Sequence, residues 1–311
     1  MRDVPVPRSV SPQAQAIIAQ GALNPTAAYP PPDDVGAWHD LVTSSASTII
    51  NMFGDRADGL PVDVEELDVH GVRVLFASEQ GNTSNRVCLD IHGGAFFTGG
   101  GDVLSLMCRR VPLQRGMPVW AVDYRMPPDH PYPAPLDDCL TVYRELLTRF
   151  APEQIVVSGG SAGGNLAAAM LLRARDEGLP LPAAAVLITP EADLTESGDS
   201  FHTNLGLDNV LSGSLMSANL LYADGHDLTH SYLSPLFADF SAGFPPTFLW
   251  TGTRDLFLSN TVLLHRALRR AGIFADLHVT EAASHGGFLG AAPEDDEIDE
   301  EIRRFIAIHC P

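Results

Sequence analysis

The chain has 311 residues, 45% of them hydrophobic and 7% aromatic, which is enough for one large core, and no linker divides it. Nineteen Lys and Arg against 39 Asp and Glu give a formal net charge of −20, which opposes nucleic acid and anionic membrane surfaces as partners. Cys88, Cys108, Cys139 and Cys310 show neither Cys-x-x-Cys pairing nor His-rich metal spacing, and no metal site is expected. Isolated thiols of this kind suit a reducing compartment. The first 15 residues hold prolines and mixed charges without an apolar core, and no apolar run reaches the length of a membrane span. A cytoplasmic location is therefore expected.

Residues 1–50 are polar and proline-punctuated, with Pro30-Pro31-Pro32 separating two helical segments, the second over 33–51. Alternation then takes over: Val64, Leu67 and Val69, followed by Val72, Val74 and Phe76, flank His70-Gly71 and predict an antiparallel hairpin. Short β-like runs follow at 86–91, 118–122, 154–157, 183–188, 247–250 and 277–280. Helical spacing falls between most of them, at 103–113, 136–150, 162–177 and 259–271, with a last segment at 295–308. Strands alternating with helices predict a mostly parallel sheet covered on both faces. One interval breaks the pattern. Between about 190 and 240 no strand is predicted, and Leu211, Leu215, Met216, Leu220 and Leu221 predict a helix over 208–222. An insertion after the C-terminal end of a strand would lie over the face where such folds carry their sites. The acidic run at 294–301 suits the start of the last helix.

The most informative segment is Val156-Val157-Ser158-Gly159-Gly160-Ser161-Ala162-Gly163-Gly164-Asn165-Leu166. It reads as a strand, a glycine-flanked serine and a helix, the arrangement of a nucleophile elbow. A serine hydroxyl needs a base to take its proton and a carboxylate to orient that base. Asp255 directly follows the strand predicted at 247–250, and His285 lies in the loop after the strand at 277–280. All three side chains are thereby expected at one edge of the sheet. His92-Gly93-Gly94 follows the strand at 86–91, and the N–H groups of Gly93, Gly94 and Ala162 are candidate oxyanion donors.

These segments resemble the hormone-sensitive lipase family of α/β-hydrolases, in its bacterial esterase branch, from about residue 60 to the C-terminus. The resemblance is carried by HGGAF at 92–96, DYRMPPDHPYPAPLDD at 123–138, GGSAGGNL at 159–166, TPEADLT at 189–195, GTRDLFLSN at 252–260 and SHGGF at 284–288. It implies an α/β-hydrolase fold with a mostly parallel eight-stranded sheet over residues 60–311. A helical cap from the 1–50 segment and the 190–240 insertion is implied with it. Also implied are a Ser161–His285–Asp255 triad, no cofactor, and a small-molecule ester or lactone as substrate; homodimers are common in the family.

Three positions depart from the family pattern: Gly160 and Glu191 replace residues usually acidic and aromatic respectively, and Ala95 replaces a glycine. Phe96, Phe97, Glu191, Leu215, Met216, Phe257 and Phe288 are candidate pocket residues. The expected function is hydrolysis of short- to medium-chain carboxylic esters through an acyl-enzyme. A lactone hydrolase with the same triad is the alternative, and a non-catalytic ligand-binding homologue is the rival from another class.

Overall fold

The computed structural model describes residues 4–23, 29–57 and 59–311; part of the 1–50 segment, residues 1–3 and 24–28, lies outside the described residues. Helix α1 (Pro12–Gln20) starts where Ser11 Oγ accepts the Ala14 N–H and Pro12 occupies the first turn, where a missing donor is harmless. Helix α2 (Val35–Ala57) runs six residues beyond the segment expected from spacing. The hairpin β1 (Val62–Val69) and β2 (Val72–Glu79) turns at His70-Gly71 as the alternation requires.

Strand β3 (Val87–Ile91) precedes α3 (Asp102–Met107) and α4 (Val111–Arg115), two helices where one was expected over 103–113. Pro112 explains the break, because its ring removes an N–H and crowds the preceding turn, so a helix restarts around it. Then follow β4 (Val119–Asp123), α5 (Ala134–Arg149), β5 (Ile155–Gly160), α6 (Ala162–Asp176) and β6 (Ala184–Ile188). The 190–240 interval contains α7 (Ser200–Thr203) and α8 (Met216–Ala223). The helix expected over 208–222 is thus shorter than predicted. Asp208 Oδ1 accepts the N–H groups of Val210 and Leu211 at 2.8 and 3.0 Å, a local turn that competes with helix, and Ser214 Oγ accepts the Met216 N–H where α8 begins. Strand β7 (Thr247–Gly252), α9 (Leu258–Arg270), β8 (Ala275–Thr280) and α10 (Pro293–His309) complete the chain.

The eight strands form one sheet in the order β1-β2-β4-β3-β5-β6-β7-β8, antiparallel at β1–β2 and β2–β4 and parallel from β4 to β8. Alternate residues feed two cores. Leu89, Val157, Leu187 and Leu249 face the core that includes Leu166, Met170 and Leu264, whereas Cys88, Val156, Val186 and Phe248 face Ile302, Phe305 and Ile306. Helix α6 is buried at most positions, which explains its nearly continuous Ala/Leu run. All four cysteines are free and buried. From β3 the chain passes to β4 on one side and then to β5 on the other. The loops after β3 and β5 therefore flank the point where strand order reverses, the crevice in which open α/β sheets hold their ligands. No helix among the described residues is long and apolar enough to cross a membrane.

Candidate active site

Ser161 occupies the turn between β5 and α6 with φ 56° and ψ −125°, a strained conformation for a residue with a side chain. The turn is held by Ser161 N–H to Ile188 O at 2.9 Å and by the Asn165 and Glu191 N–H groups on Ser161 O. A Cβ at Gly163 would lie 2.0 Å from Ile91 O, so only glycine lets α6 approach the end of β3 this closely. A Cβ at Gly93 would meet Gly160 O at 2.8 Å and Ser161 Cβ at 3.1 Å. The loop after β3 thus passes directly beside the serine.

Asp255 is fully buried just beyond β7, and its carboxylate accepts from Thr251 Oγ1 at 2.7 Å, the Phe257 N–H at 2.9 Å and His285 Nδ1 at 3.1 Å. Because the carboxylate can only accept, Nδ1 carries the proton, and Nε2 is left as the basic nitrogen. Burial alone would depress the His285 pKa, but the charge and hydrogen bond of Asp255 reverse this and Asp208 and Glu191 reinforce them, so the net shift is upward. Ser161 Oγ has no hydrogen-bond partner among the described residues. The histidine–carboxylate pair is assembled, and no hydrogen bond joins it to Ser161 Oγ.

The N–H groups of Gly93, Gly94 and Ala162 have no acceptor among the described residues. The loop carrying the two glycines is fixed by Gly94 O, which accepts from the Phe97 and Thr98 N–H groups, and by His92 Nδ1 against Gly93 O at 2.8 Å. Tyr124 stacks on the His92 ring at 4.1 Å and donates its hydroxyl to His92 O at 2.9 Å. This support does not involve position 160, where Gly160 stands in place of the family's acid. It also gives Tyr124, within the DYRMPPDHPYPAPLDD segment, a role that sequence reading missed. Arg125 in the same segment pairs with Asp138 at 2.7 Å.

The candidate pocket residues do not form one group. Phe257 meets the His285 ring edge-on at 4.9 Å and clusters with Leu215, Phe201 and Leu256. Phe97 packs with Trp38 of α2 and with Ala218 and Leu221 of α8. Phe96 turns into the main core and stacks on Tyr222 at 4.0 Å, and Met216 is half-buried at the start of α8. Phe288 packs away from these, against Val10, Ala14 and Ile18 of the N-terminal segment, with its N–H on Asp295. Glu191 is fully buried, and neither carboxyl oxygen has a hydrogen-bond partner among the described residues. Burial is the main cause that raises its pKa to about 8; the Asn219 amide and the His285 charge oppose it, Glu196 and Asp193 add to it, and the group is mostly protonated at pH 7.

Residues 88–289 match the sequence family described as having the alpha/beta hydrolase fold. An esterase of Acinetobacter venetianus is 30% identical over 215 residues, spanning 68% of this chain and 70% of its own length. The crystal structure of esterase E25 superimposes with a TM-score of 0.91 at 34% identity, covering 99% of this chain and 97% of its own. An esterase from the bacterial hormone-sensitive lipase family gives a TM-score of 0.85 at 29% identity, covering 97% and 99%. The chain belongs to the hormone-sensitive lipase family of α/β-hydrolases.

Proposed function

We propose that this protein is a serine carboxylesterase that hydrolyses short- and medium-chain esters through an acyl-enzyme, with Ser161 as nucleophile and His285 as base. The buried His285–Asp255 pair at 3.1 Å, at the same sheet edge as the strained Ser161, carries this reading. His285 Nε2 takes the Ser161 proton as Oγ attacks the ester carbonyl, then returns it to the leaving alcohol. Asp255 fixes the imidazole tautomer and stabilises the imidazolium. The unpaired N–H groups of Gly93, Gly94 and Ala162 receive the negative oxygen of the tetrahedral intermediate, each donor being worth roughly 3 kcal/mol of barrier. Water then attacks the acyl-enzyme with His285 again as base.

The chain-length preference rests on the buried wall of Phe257, Leu215 and Phe201 beside the base, and on α2 and α8 closing over Phe97 as parts of a cap. Initial rates on p-nitrophenyl acetate, butyrate, hexanoate, octanoate and palmitate, beside Ser161→Ala, test both claims. Turnover of the short and medium esters alone, with an inactive alanine variant, is expected. Faster turnover of palmitate than butyrate would overturn the size preference, and an alanine variant as active as wild type would overturn the nucleophile assignment.

A further inference from the structure

The 190–240 insertion does more than lie over the sheet edge. Asp208 is 1% exposed, and its carboxylate accepts four backbone N–H groups. Oδ1 takes the two local ones, from Val210 and Leu211. Oδ2 takes two from distant loops: Leu256, the residue after the candidate triad acid, at 2.8 Å, and His285, the candidate base itself, at 3.2 Å. Neighbouring residues repeat the connection. The Asn209 N–H binds Ser284 Oγ at 3.0 Å, Asn204 Nδ2 binds Asp255 O at 2.8 Å, and Ser200 Oγ binds Leu256 O at 2.6 Å.

From this geometry we infer that Asp208 is a positioning residue: one carboxylate oxygen clamps the acid loop to the base loop and places a second negative charge behind His285. The inference rests on the triad reading above. Chemically, only a carboxylate suits the position, because four converging N–H donors leave no place for a donor on the side chain. A single oxygen shared by two loops also fixes their spacing, which sets the distance from Asp255 to the imidazole. The titratable groups that act on His285 are Asp255, Asp208 and Glu191, the last of them protonated at neutral pH, and those that act on Asp208 are Asp255 and His285. Burial and the Asp255 charge raise the Asp208 pKa to about 6, so at neutral pH it is largely anionic and supports the imidazolium.

Asp208→Asn tests this, because it keeps the shape but turns Nδ2 or loses charge against the N–H groups. A fall of roughly tenfold or more in kcat on p-nitrophenyl butyrate is expected, with KM little changed. The acid limb of kcat/KM should also move to lower pH, because removing the anion makes His285 easier to deprotonate. Asp208→Glu keeps the charge and should keep the limb near its wild-type position while kcat still falls. A purely structural role would lower melting temperature and amplitude in both variants and leave both limbs unmoved, which overturns the inference, as does failure of both to fold. Ser161→Ala and His285→Ala run alongside: if these remain active, the triad reading itself has failed, whereas inactive controls beside an unaltered Asp208→Asn sink only the clamp.

Discussion

Replacing Glu191 by glutamine should stabilise the protein, and by an amount that depends on pH. The carboxyl is fully buried without a partner, and Asn219 beside it donates Nδ2 to Leu194 O and leaves its own Oδ1 unpartnered. A proton, or the N–H of an amide, supplies the donor that this group of acceptors lacks. In the unfolded chain the carboxyl ionises near 4.5, and in the folded protein near 8. Between those values the folded state holds the extra proton, so stability falls as pH rises through the window and levels off above it. The full difference corresponds to about 5 kcal/mol, of which about 3 kcal/mol has accrued by pH 7. Glutamine cannot ionise and escapes this penalty. At about 2 °C per kcal/mol for a chain of this size, Glu191→Gln should melt about 6 °C above wild type at pH 7 and about 10 °C above it at pH 9. Near pH 4.5 the two should melt almost together. Calorimetric melting temperatures across this range provide the measurement. A difference that is the same at pH 5 and pH 9 would refute the reasoning, since the carboxyl would then ionise alike in both states.

Other consequences follow from the same geometry. Asp255→Asn should lower kcat by roughly a thousandfold or more on p-nitrophenyl butyrate, because an amide in place of the acceptor favours the wrong imidazole tautomer. Since the His285 pKa is raised above its ordinary 6.5, and neutral imidazole is the active form, activity should be half lost above pH 6.5 as pH falls; an acid limb below that value contradicts the shift. Gly163→Ala must move either α6 or the end of β3, and should cost about 3 kcal/mol of stability in a chemical denaturation series, along with most activity. Tyr124→Phe removes the hydroxyl held on His92 O and should cost about 1 kcal/mol of stability in a chemical denaturation series, and should lower kcat by a larger factor than it changes KM.

Much of the fold was legible because its signals are local. The alternation around His70-Gly71 specifies a hairpin whatever it packs against, and the strand and helix runs after it alternate in a way only a covered, mostly parallel sheet accommodates. The misses have physical causes. Pro112 splits the helix expected over 103–113, although the apolar spacing runs on through it. Asp208 unwinds the first half of the helix expected over 208–222, because its carboxylate serves loops 48 and 77 residues away, and such partners leave no trace in periodicity.

The candidate site shows the same division. Gly-x-Ser-x-Gly is a local backbone requirement, and the structure gives Ser161 the strained turn that the glycines permit. The order of Asp255 and His285 after successive strands placed both at one sheet edge, where they meet. Which way loop aromatics turn was not encoded. Phe257 meets the His285 ring edge-on, while Phe288, three residues after the same histidine, packs under α1. Glu191 stood out as a departure, but its full burial with both carboxyl oxygens unpartnered is a matter of tertiary packing, which sequence spacing does not reveal.

Trapping the intermediate tests the central claim most directly. The protein is mixed with p-nitrophenyl butyrate, quenched in acid within the first turnover, and its peptides are weighed by mass spectrometry. A butyryl adduct on the peptide carrying Ser161, absent from Ser161→Ala, is the predicted result. Turnover of the ester with the adduct on another residue, or undiminished turnover by Ser161→Ala, would contradict the account.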